Sequence, residues 1–295
     1  MRSARFVAVL ACLFAGPLSA QTAKPDQASI DFIGRLRNSD GGYAPALDGT
    51  GKRTRSSLRA TTAAMRALKY LGSSPPKPAE VCQFIGKCFD PATGGFGDFP
   101  GEPPNVPTTA VGVMAAVELG LPPETYREAA IRYLGDRVKT PDEIRIAAAA
   151  FESLHQRPPK ADEWLKRITP TRNVDGAFGA GDDLARATGG TAAMILRLAG
   201  ELDHREAVIH AMRTGQRADG GFGSAERPVS DLESTYRVMR AFAMLKDRPT
   251  DPGKLRSFVD KCRSPSGGYA VMPGQPPTAA GTYYATIILH WLEQP

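Results

Sequence analysis

The chain has 295 residues, 42% hydrophobic and 23% charged, with a formal net charge of +6. These values fit a folded protein with a core and exclude a disordered chain. No Lys/Arg run interleaved with aromatics occurs, so the positive balance does not mark a nucleic-acid surface.

Residues 1–20 read as a cleaved secretory signal. "MRSAR" is a short basic start, "FVAVLACLFAG" an apolar run, and "PLSA" a small-residue end before Gln21. The apolar run is too short to span a bilayer. The alternative is a lipoprotein signal at Cys12, through "VLAC". Residues 21–295 are expected to form one domain, not transmembrane, secreted or periplasmic. Three cysteines remain, Cys82, Cys88 and Cys262. An odd number excludes a complete disulfide framework, but one bridge stays open in an oxidising compartment.

The rest of the chain repeats one grammar. "ASIDFIGRLRN" predicts an amphipathic helix, Gly41-Gly42-Tyr43 a turn, and "SSLRATTAAMRALKYLG" a more apolar helix. The same order returns with "AEVCQFIGKCF", Gly94-Gly95-Phe96 and "TTAVGVMAAVELG". The third unit, "YREAAIRYLGD" then "EIRIAAAAFESL", has lost its glycine loop. The fourth is "ADEWLKRI", Gly176-Ala177-Phe178 and "ATGGTAAMILRLAG". The fifth is "REAVIHAMRTG", Gly220-Gly221-Phe222 and "DLESTYRVMRAFAML". The sixth is "GKLRSFVDKCR", Gly267-Gly268-Tyr269 and "GTYYATIILHWL".

Each triplet marks a helix–turn–helix reversal. Gly takes the positive φ that ends a helix, and the aromatic wedges between the two helices. Asp40, Asp175 and Asp219 are placed to bond the freed amides. The triplet is not a phosphate loop, since no strand pattern precedes it. Six amphipathic outer helices and six apolar inner ones, with no polar capping helix, predict an all-α fold closed into an α/α toroid.

"GGFGDFPGEPPNVPTTAVGVMAAVELG" resembles a repeat of the protein prenyltransferase β subunits, above all the Rab geranylgeranyltransferase type. The likeness spans about residues 26–293 and extends to the prenyltransferase and squalene-cyclase superfamily. It implies a six-plus-six helix barrel with a central cavity for an isoprenoid diphosphate. It also implies one zinc ion, held by an Asp and a Cys two apart on the fifth inner helix and a His on the sixth. The resemblance places the Asp on Asp231, the Cys on Glu233 and the His on Gly281. It puts the basic diphosphate pair on Ala225 and Pro228, the following Tyr on Ser234, and the His before the glycine pair on Thr188. Arg186 and Arg227 lie nearby as partial substitutes. The expectation is therefore no resident cofactor, because the family zinc site is incomplete. Export argues against a cytosolic α-subunit-like partner.

The cyclase branch uses a D-x-D-D motif, and this chain has none; Asp182-Asp183 reads as a solvated turn. Inner helices rich in Ala, Thr, Met and Leu predict a largely apolar cavity wall, aromatic only at Tyr283 and Tyr284. His155, His204, His210 and His290 read as structural or surface residues. Asp231 and Glu233 remain the candidate catalytic pair, with Asp231 the candidate metal ligand. The competing roles are a helix N-cap for Asp231 and a helix-dipole partner for Glu233. Two function classes follow. One is a scaffold binding an apolar small molecule or peptide in its cavity. The other is a divergent isoprenoid transferase, or another enzyme using Asp231 and Glu233.

Overall fold

A computed structural model describes residues 26–294, so the expected leader and Cys12 lie outside the described residues. Its helices alternate as the repeats predict. The outer set is α1 (Gln27–Arg35), α3 (Pro78–Lys87), α5 (Arg127–Arg137), α7 (Ala161–Ile168), α9 (Arg205–Thr214) and α11 (Pro252–Lys261). The inner set is α2 (Leu58–Tyr70), α4 (Val106–Leu119), α6 (Pro141–Ser153), α8 (Leu184–Ala199), α10 (Leu232–Leu245) and α12 (Ala279–Glu293).

Inner helices pack in sequence order, α2 on α4, α4 on α6, α6 on α8, α8 on α10 and α10 on α12, and α12 returns to α2. The ring is therefore closed. Strict outer–inner alternation makes all six inner helices run the same way, with their N-terminal ends on one rim. A pair on neighbouring helices agrees: Tyr236 and Tyr283 each stand on the second turn of their helices and their hydroxyls meet at 3.2 Å.

Five inner helices start on a side-chain cap. Ser57, Asn105, Thr140, Asp231 and Thr278 each accept from the backbone amide three residues on. Such caps satisfy amides that the first helical turn leaves free. In the degenerate third unit, the Thr140–Glu143 capping box takes over the turn that the glycines make elsewhere.

The glycine loops do more than reverse the chain. Four of the five close as minimal antiparallel hairpins, most regular where β1 (Phe89–Asp90) pairs with β2 (Gly95–Phe96). Tyr43, Phe96, Phe178, Phe222 and Tyr269 are buried wedges, as expected. The backbone amide of each wedge donates to a threonine hydroxyl of its own inner helix. These threonines are Thr61, Thr109, Thr188, Thr235 and Thr282, at 2.9–3.1 Å. The glycines also seat the next unit. A Cβ on Gly221 would stand 2.8 Å from the Phe258 ring of α11. A Cβ on Gly268 would stand 2.4 Å from the Phe32 ring of α1, so the sixth loop docks on the first helix and seals the ring.

Cys82, Cys88 and Cys262 are free thiols. Burial pushes Cys88 and Cys262 up to about 12, which makes both poor nucleophiles. Among the described residues, no helix is long and apolar enough to cross a membrane.

Candidate functional site

The inner helices enclose a cavity of about 480 Å³, within the roughly 300–1,000 Å³ usual for ligand sites. Its two halves differ. Val111 and Met114 of α4, Ile146 and Ala149 of α6, and Ala193 of α8 form an apolar stretch. Facing it, α10, α12 and α2 present Tyr236, Tyr283, Tyr284 and Tyr70. Six arginines also reach the wall, Arg59, Arg66, Arg145, Arg197, Arg237 and Arg240, against three glutamates, Glu118, Glu152 and Glu233. The apolar wall expected from composition holds for one side only. The other side is aromatic and carries four of the six arginines, while Arg145 and Arg197 stand on α6 and α8.

Three arginines are paired: Arg66 with Glu118 at 2.9 Å, Arg197 with Glu152 at 2.8 Å, and Arg237 with Glu233 at 2.6 Å. Arg145 leans on Asp142 at 3.4 Å. Burial, and then the like charge of Arg237, push the Arg145 guanidinium below its usual value. Arg59 and Arg240 have no carboxylate partner among the described residues.

Arg240 is the unusual one, because its side chain is largely buried. Its Nη2 donates to the Tyr236 hydroxyl at 3.0 Å, and its Nε is buried without an acceptor. The guanidinium lies 4.8 Å from the Trp291 ring centroid and 5.4 Å from that of Tyr236, a cation–π seat. The Tyr283 hydroxyl also donates to Tyr236. Burial alone would raise the Tyr236 phenol. The Arg240 charge, the Tyr283 hydrogen bond and the Arg66 charge outweigh it and bring Tyr236 down to about 7. Its neighbour Tyr283 is pushed well up, by burial first and then by Tyr236 itself.

The structure separates the two candidate residues. Glu233 lines the cavity, held by Arg237. Asp231 does not line it: it is the buried N-cap of α10, its carboxylate accepting from the Ser234 amide and hydroxyl, both at 2.8 Å. Of the roles weighed for Asp231, the cap is the one its geometry performs. Among the described residues, no group of three or more His, Cys, Asp or Glu side chains is arranged to hold a metal.

The three positions matched to zinc ligands do not fit the ion. Asp231 is engaged as a cap and Glu233 as an ion pair. At Gly281 a Cβ would stand 2.4 Å from the Tyr269 carbonyl oxygen, so no ligating side chain fits on this backbone. The two nearby arginines are committed as well. Arg186 pairs with Asp183 at 3.1 Å, and Arg227 lies 3.9 Å from Asp231.

The Tyr236–Arg240 cluster was not anticipated, although its signal is present. Glu233, Tyr236, Arg237 and Arg240 fall on one face of a helix that ring closure must bury. Charges on such a face must line a cavity, because a packed interface would leave them unsolvated.

Comparison with known proteins agrees with this architecture. A family model described as the prenyltransferase alpha-alpha toroid domain matches residues 61–149 and 144–295. No match was found among curated proteins. Among solved structures, a protein from Actinoplanes superposes with a TM-score of 0.63 at 14% identity, covering 92% of this chain and 99% of that one. The apo type II terpene cyclase MstE from Scytonema gives 0.60 at 11%, covering 91% and 96%. A glycosidase variant in complex with glucose gives 0.60 at 13%, covering 90% and 95%. At these identities the likeness concerns the fold. The closed ring of helix pairs and the family match over most of the chain together assign it: the protein belongs to the prenyltransferase alpha-alpha toroid domain family.

Proposed function

We propose that this toroid binds an extended, largely apolar ligand carrying an anionic group in its central cavity. We also propose that it does so outside the cytoplasm, after loss of residues 1–20. The observation that carries the binding reading is the two-sided wall: an apolar stretch on α4, α6 and α8 opposite the α2 and α10 side, where four arginines, Arg59, Arg66, Arg237 and Arg240, meet one glutamate, Glu233. Uncompensated cations in a concave site attract anions and hold them more strongly than exposed ones do. A variant of MstE was solved with its substrate geranylgeranyl dihydroxybenzoate, an isoprenoid joined to a benzoate. That two-part chemistry is what this wall would accept. Isoprenoid transfer would need donors at Asp231, Glu233 and Gly281 that are engaged elsewhere or absent.

Trp291 sits against the cluster and gives a readout. Titrating the purified protein with geranylgeraniol and with geranylgeranoic acid should change Trp291 fluorescence saturably, at one ligand per chain. Absence of binding by both compounds would refute the reading.

A further inference from the structure

We propose that the part of the cavity built on Arg240 is a carboxylate subsite, and that Tyr236 must be protonated for it to fill. This rests on the cavity-binding reading above and names the headgroup it selects.

Arg240 carries five N–H donors, and the structure records a hydrogen bond for only one of its nitrogens, to Tyr236. A largely buried guanidinium without an anion is costly, so the seat is incomplete as it stands. Its surroundings fix the charge it accepts. Arg66 on α2 is neutralised by Glu118 on α4. On α10 itself, Glu233 is taken by Arg237. Tyr70 on α2, together with Tyr283 and Tyr284 on α12, is pushed above the ordinary phenol value, chiefly by burial, and is neutral. Arg145 on α6, on the second turn as Tyr236 is on α10, is partnered by Asp142 at 3.4 Å. Arg59 is unpaired too, but it is exposed on the first turn of α2, so the one unpaired positive charge among these buried groups is that of Arg240. A monoanion balances it, whereas a diphosphate would bring excess negative charge into the same space. A planar carboxylate also matches the guanidinium fork.

Tyr236 competes with such a ligand. Its oxygen accepts from both Arg240 and Tyr283, and no acceptor for its own proton is found among the described residues. In the empty cavity, above the Tyr236 ionisation, the phenolate is the counter-ion of Arg240; below it, Arg240 has none among the described residues. An arriving carboxylate takes over that role, and the phenolate takes up one proton from solvent. Binding consumes a proton, so affinity falls as pH rises through the Tyr236 ionisation, by up to about tenfold per pH unit.

The test uses three probes that share one chain: geranylgeranoic acid, neutral geranylgeraniol and geranylgeranyl diphosphate. At pH 6 the acid should bind wild type at least about tenfold tighter than the alcohol, and tighter than the diphosphate. Raising the pH to 8.5 should weaken the acid and leave the alcohol unchanged. Arg240→Gln should bring the acid down to the affinity of the alcohol. Tyr236→Phe should keep acid binding and flatten its pH profile. The wild-type comparison needs no variant to fold. Equal binding of acid and alcohol, or tightest binding of the diphosphate, would overturn the subsite while leaving the cavity reading intact. A pH profile unchanged in Tyr236→Phe would overturn the proton coupling. Failure of all three probes would instead refute the cavity reading on which the subsite rests.

Discussion

At the scale of single residues, Asp231 caps its helix and Tyr236, rather than Asp231, lines the cavity. Asp231 stands where the family resemblance places a metal ligand, yet its carboxylate is spent on the Ser234 amide and hydroxyl. Asp231→Ala should therefore cost about 0.5–2 kcal/mol of stability and leave cavity affinity unchanged, as urea unfolding and ligand titration would show. Tyr236 had no claim from sequence, because a lone tyrosine on an Ala- and Met-rich helix reads as packing. Only folding sets it between Arg240 and Tyr283. Its folded ionisation lies below that of a free phenol, so between about pH 7 and the free-phenol value the unfolded state binds more protons. Stability then rises with pH across that window. Wild type should gain on Tyr236→Phe from pH 7 to 9, both in unfolding free energy and in the tyrosinate difference spectrum. Equal pH slopes would contradict the ionisation.

At the scale of elements, the turn rather than the helix carries the repeat. Periodicity and the glycine triplets located twelve helices because both are local signals. The tie between each wedge amide and an inner-helix threonine is not local. In the fifth unit it joins Phe222 to Thr235 at 3.1 Å. Thr109, Thr235 and Thr282 each lie fifteen residues after the first glycine of their unit, whereas Thr61 and Thr188 do not, since those loops differ in length. Thr235→Val keeps the side-chain shape and leaves the buried Phe222 amide unsatisfied, so it should cost about 1–3 kcal/mol. The glycines were legible as turn formers and illegible as contact points. That Gly268 leaves room for Phe32 depends on residues 236 positions apart. Gly268→Ala should destabilise the ring at its closure, and thermal unfolding would show it as a larger loss than Ala at the open position Gly253, where nothing presses closer than 3.4 Å.

At the scale of the whole molecule, the toroid was legible because the helix pair recurs six times along the chain, and α12 against α2 closes the ring. The cavity chemistry was not. Composition averages over helix faces, and the arginines that line the hollow are outnumbered in their own helices by the residues that pack between neighbours. The leader is a separate expectation: intact-mass measurement of exported protein should find Gln21 at the N-terminus, and retention of Met1 would contradict it. The central claim is that the ring holds an extended anionic ligand between an apolar and a cationic wall. A crystal structure grown with geranylgeranoic acid tests it most directly. The account predicts density inside the ring, with the carboxylate on Arg240 and the chain along Val111, Met114 and Ile146. A cavity filled by water alone at saturating acid, or a ligand lying with its carboxylate away from every arginine, would contradict it.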